Sequence, residues 1–107
     1  MKPVTILALV AACSLPAPLA AQQPAAAAYK REVPDSLAAK AKISDDSARA
    51  IALRRVPGGT IQALELEREG GTLLYSWDIK VAGKRGITEV HVSARTGRIL
   101  SVAHESN

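Results

Sequence analysis

The pattern of apolar and polar positions changes character three times along the chain. Residues 4–12 form an apolar run interrupted only by Thr5. After Ser44, apolar residues recur at Ala48, Ile51, Ala52 and Val56, the spacing that lines one face of a helix. From Thr60 onward the period falls to two, as half-buried strands require.

The helix carries its own boundaries. Ser44 is an N-cap residue, and Asp45 with Asp46 puts negative charge at the positive end of the helix dipole. Ile43 and Ala48 have the spacing of a hydrophobic staple. Arg54 and Arg55 fall in the last turn, and Pro57-Gly58-Gly59 stops the helix. A short helical turn is expected ahead of it over residues 37–41, capped by Asp35 or Ser36.

Residues 60–69 and 72–81 read as strands joined at Gly70-Gly71. A two-residue turn there sets Leu66 opposite Tyr75, Leu64 opposite Trp77 and Gln62 opposite Ile79, so large apolar side chains meet on one face. The other face carries Glu65, Glu67, Leu74, Ser76, Asp78 and Lys80 and is mostly solvated. Residues 82–86 turn into a third strand, 87–93, whose Val90 and Val92 match Trp77 and Tyr75. Residues 94–97 turn again into a last strand over 98–103. The expected fold is α+β, an N-terminal helix packed on a four-stranded antiparallel meander.

Composition adds a compartment. The first 28 residues hold ten of the 20 alanines and one charge, Lys2. A basic start, an apolar core, helix-breaking Pro16 and Pro18, and the small residues Leu19-Ala20-Ala21 make a secretory signal over residues 1–21. The run is about half of the roughly 20 apolar residues that span a bilayer. Val10-Ala11-Ala12-Cys13 also resembles a lipobox, which gives the alternative of a lipoprotein anchored through Cys13. Residues 22–35 read as a disordered linker and 36–105 as the folded domain. Cleavage after Ala21 leaves no cysteine, hence no disulfide. At 107 residues the chain has no room for a multidomain enzyme.

Little in this inventory points to catalysis. His91 and His104 are the two histidines; no nucleophile stands at motif spacing from a base, no His-Glu-x-x-His occurs, and no glycine-rich phosphate loop opens a helix. No cofactor is called for. On the outer sheet face the register gathers Glu65, Asp78, Glu89 and His91, a candidate divalent-cation set, although a solvated polar face accounts for the same residues and is the preferred reading. His104 is read as exposed near the terminus. Tyr75 and Trp77 alternate with Leu73, Ile79 and Val81 and are read as core. Net charge is +4, with Lys84-Arg85 and Arg95/Arg98 forming two loop clusters on opposite sides of one strand. Without an aromatic platform among them, nucleic-acid binding is not expected.

The stretches Lys42–Ala48, Ala50–Leu53 and Val56–Gly59, then Leu64–Glu67, Tyr75–Ile79 and Val90–Leu100, together resemble a PepSY domain. The resemblance covers essentially the whole domain. It departs where the family usually has aspartate before the final turn and this chain has Ser93, which can cap that turn more weakly. The resemblance implies an exported, non-enzymatic module, similar to a segment of the propeptides of thermolysin-like metallopeptidases. It therefore implies a protein partner, a peptidase. Unpaired edge backbone, and the exposure and charge of the loops Pro57-Gly58-Gly59, 82–86 and Arg95-Thr96-Gly97, with Lys84, Arg85, Arg95 and Arg98, make a sheet edge or those loops the expected contacts. A ligand- or ion-sensing envelope module is the alternative, as is an accessory of a membrane system.

Overall fold

A computed structural model describes residues 29–106. The expected signal peptide, with Cys13, and linker residues 22–28 lie outside the described residues. Within them the chain runs β1 (Lys30–Glu32), α1 (Asp35–Ala38), α2 (Asp45–Arg55), β2 (Gly59–Glu69), β3 (Thr72–Val81), β4 (Ile87–Ser93) and β5 (Ile99–Glu105). The strands form one sheet in the order β1-β2-β3-β4-β5.

The α+β class is as expected, but the sheet has five strands and is mixed. β1 lies parallel to β2, with Lys30 opposite Ala63, Arg31 opposite Leu64 and Glu32 opposite Glu65. These residues fall in the expected linker. Three polar residues give no periodicity, and what fixes them is non-local. Tyr29 meets Trp77 edge-on at 6.3 Å between ring centres, and the Arg31 guanidinium pairs with Asp45 at the start of α2.

α2 begins as its sequence dictates. Ser44 Oγ accepts from Ser47 N at 3.1 Å, Asp45 and Asp46 occupy the first turn, and Arg54 and Arg55 the last. α1 is capped otherwise than expected: the Pro34 carbonyl, not an Asp35 or Ser36 side chain, accepts from Leu37 N and Ala38 N. A fixed proline φ prearranges that turn.

The β2–β3 register puts Leu66 opposite Tyr75 and Leu64 opposite Trp77. Past Ala63 it corrects the expectation: Ile61, not Gln62, faces Ile79, because a bulge lies between Ile61 and Ala63. The extra residue reverses the alternation, burying Ile61 and exposing Gln62. Val90 pairs with Trp77 and Val92 with Tyr75. The last strand starts at Ile99, one residue later than expected, and a second irregularity separates Ser101 from Ile99.

The core lies between α2 and one sheet face. Ala48, Ala52, Leu53 and Val56 pack against Ile61, Leu64, Leu66, Tyr75, Trp77, Ile79, Val90 and Val92. Alanines four residues apart bring the helix backbone close to the sheet. Tyr75 Oη donates to the Ile43 carbonyl at 2.7 Å. The Ala94 carbonyl accepts from Lys42 N and Ile43 N, and Ala94 N donates to the Leu73 carbonyl. The chain entering α2 is thus stitched to two strand ends. Ser93 caps the final turn, its Oγ accepting from Arg95 N and Thr96 N. Gly97 in that turn has φ +78°, and a Cβ there would stand 2.8 Å from Ile43 Cδ1, so glycine serves both the backbone sign and the packing.

Trp77 is fully buried, and its indole N–H has no partner among the described residues. Its value to the fold is therefore the ring. Trp77→Ala is expected to cost about 3–5 kcal/mol in urea unfolding. Trp77→Phe, which keeps a ring and removes the unpaired donor, should cost less than half of that.

Candidate functional site

Two surfaces hold the residues singled out by sequence: the outer face of the sheet, and the edge at β5.

On the outer face Ser76 is flanked by Glu65 and His91, and Asp78 lies opposite Glu89. His91 is mostly buried, with Nε2 2.6 Å from Glu89 Oε1 and Nδ1 3.6 Å from Glu69 Oε2. Of the four carboxylate and imidazole residues named from sequence, His91 and Glu89 are in direct contact. The ion-sized grouping among the described residues is a different one: Glu67, Glu69 and His91, whose ligand atoms all lie within 4.8 Å of one another. Sequence reasoning missed Glu67 and Glu69 as ligands. The signal was present, since Glu65, Glu67 and Glu69 alternate along one strand and must share a face. Which of them the imidazole approaches depends on its rotamer.

Acidic residues gather on one face of the sheet, with Lys30 and Lys80 among them. Glu32, Glu65, Glu67, Glu69, Asp78, Glu89 and Glu105 all project on the outer face, seven of the chain's ten acidic residues. Burial pushes the Glu67 carboxyl up from its ordinary range, and Glu65 and Glu69 push it further, while His91 opposes them. Burial likewise raises Asp78, helped by Glu89, Glu105 and Glu65 and again opposed by His91.

Four basic residues named from sequence lie in loops. Lys84 and Arg85, in the β3–β4 loop, and Arg95 and Arg98, around the β4–β5 turn, are all exposed. These loops lie at the two ends of β5, because Ile99 follows the turn directly and Glu105 pairs with Ile87. Every residue of β5 is exposed. Ile99, Leu100 and Val102 are the large exposed apolar residues of the described chain. His104 is exposed, as expected, and belongs to β5, with Nδ1 3.0 Å from Thr88 Oγ1.

The helix α2 and the four-stranded antiparallel meander after it match a known sequence family. The family model described as "Peptidase propeptide and YPEB domain", PepSY, matches residues 42–103. The chain belongs to the PepSY family. No curated protein and no solved structure matches it. The matched PepSY segment begins where Lys42 N and Ile43 N bond to Ala94 and ends within β5, so β1 and α1 lie outside the family pattern. Among the described residues no helix is long and apolar enough to cross a membrane.

The raised carboxyls set a pH dependence. A carboxyl raised in the folded state stabilises the fold at acid pH, and that contribution is lost as pH rises through its folded value. Asp78→Asn is therefore expected to be more stable than the parent at pH 7. The difference should vanish below the ordinary aspartate value of 3.8, as checked by urea unfolding at both pH values.

Proposed function

We propose that this PepSY domain is an exported, non-enzymatic binding module that restrains a peptidase of the cell envelope, and that β5 is the edge it presents. The observation that carries the reading is the bareness of β5: seven residues without cover, three of them large and apolar, on the outside of a sheet. An edge strand offers a row of unpaired N–H and C=O groups that can add to another chain's backbone. A peptidase cleft receives its substrates as extended segments, and an edge strand about 20 Å long fills such a cleft. Natural sheets usually blunt their edges with charge or proline, whereas here residues 99–103 carry neither.

The basic clusters frame the same edge. Lys84 and Arg85 at one end, with Arg95 and Arg98 at the other, favour a cleft whose rim is acidic and would accelerate encounter in a salt-sensitive way. The family's connection with peptidase propeptides supports the choice of partner. A second reading, an ion-binding envelope module, has the Glu67, Glu69 and His91 grouping in its favour; a melting-temperature rise with divalent metal that is lost in His91→Ala would select it.

The test is capture from periplasmic and secreted extract on the immobilised chain, followed by assay of the retained peptidase. The expected result is a dose-dependent loss of its activity, weakened about tenfold or more by Leu100→Asp with Val102→Asp. Both side chains are exposed, so the fold should survive the changes. A retained peptidase that keeps its activity, or one inhibited equally by the double variant, would contradict the reading.

A further inference from the structure

A separate cleft is formed where three turns meet. The α1–α2 connection contributes Lys40 and Lys42, the hairpin end of β2 and β3 contributes Arg68 and Thr72, and the β4–β5 turn contributes Ser93 and Arg95. The cleft holds about 320 Å³. Its walls do not depend on flexible side chains for their position. Lys42 N and Ile43 N bond to the Ala94 carbonyl at 2.9 and 3.0 Å, and Ala94 N bonds to the Leu73 carbonyl at 3.0 Å. One backbone unit, Ala94, thus ties all three segments together.

The chemistry of the lining is one-sided. Four cations face the cleft and no carboxylate does. The ion pairs of the described residues involve Lys30, Arg31, Arg49 and His91, so none of the four has an ion-pair partner among the described residues. Arg68 makes one long contact, Nη1 to the Gly71 carbonyl at 3.5 Å. Ser93 Oγ already accepts two backbone N–H groups, which leaves its hydroxyl proton to donate elsewhere. Thr72 adds a second hydroxyl. Cations gathered without a counter-charge repel one another, and an anion with several acceptor oxygens relieves that repulsion.

We propose that this cleft binds a phosphate group, either as a soluble phosphate or as the headgroup of an anionic phospholipid. A carboxylate would neutralise one of the four cations. A phosphate brings up to two charges and several acceptor oxygens, which match guanidinium forks and hydroxyl donors together. The inference stands apart from the partner reading: Lys42 and Arg68 belong to the cleft, and neither belongs to the β5 edge.

The test titrates the full chain with inorganic phosphate at ionic strength held constant with sodium chloride, following thermal unfolding and the amide resonances of Lys42, Thr72 and Ser93. Saturable binding is expected. At ten times the dissociation constant the folding equilibrium should rise about elevenfold. Arg68→Gln with Lys42→Gln should weaken binding about tenfold or more, while Lys30→Gln with Arg54→Gln, which removes the same charge from outside the cleft, should leave it within about twofold. A response equal to that of chloride alone would overturn the proposal, as would equal losses in the two double variants. A second arm uses phosphatidylcholine vesicles with and without phosphatidylglycerol. Binding only to the anionic vesicles, lost in the cleft variant, identifies a headgroup; phosphate binding without vesicle binding identifies a soluble phosphate.

Discussion

One helix cannot cover five strands. An α-helix with its side chains is about 10 Å across, whereas five strands about 4.8 Å apart span roughly 19 Å between the outer axes. α2 sits over β3 and β4, where Trp77, Val90 and Val92 are fully buried. On one side the deficit is made good by the N-terminal arm, whose Tyr29, Val33 and Leu37 pack against the same core. On the other side no described residue takes that place, and β5 is left exposed along its whole length.

The outer sheet face carries seven carboxylates, with Lys30, Ser76, Lys80 and His91 among them. Other basic residues lie in turns and around the helix, at Lys40, Lys42, Arg54, Arg55, Lys84, Arg85, Arg95 and Arg98. Leu74 is the buried apolar residue of the acidic face, with Ser76 and Ser93 buried beside it. It is buried although it lies outside the main core, opposite Glu67 and Ser93 in the register.

Much of this was readable from local rules. Ser44, Asp45 and Asp46 announce α2, and Gly70-Gly71 fixes a register that places Leu64, Leu66, Val90 and Val92 correctly against β3. The elements that escaped are those whose cause is remote in sequence. β1 is three polar residues held by Tyr29 on Trp77 and Arg31 on Asp45. The bulge beside Gln62 exists because Ile61 gains burial by it, which no count of alternation foresees. The outer face was legible as a face, since period two assigns it; the approach of His91 to Glu67 and Glu69 was not, because a rotamer decides it. The basic cleft draws on residues 40–42, 68–73 and 93–95, and only the backbone bonds of Ala94 bring those segments together.

The central claim is that the uncovered strand is the working surface of this PepSY domain. Amide hydrogen exchange of the chain, free and in complex with the peptidase it retains, addresses that claim directly. The account predicts fast exchange at the outward amides of β5 in the free chain and strong protection of residues 99–105 in the complex, with the amides of β2 and the outer-face carboxylate region unchanged. Protection centred on β2, or a complex that leaves β5 exchanging as it does in the free chain, would contradict it.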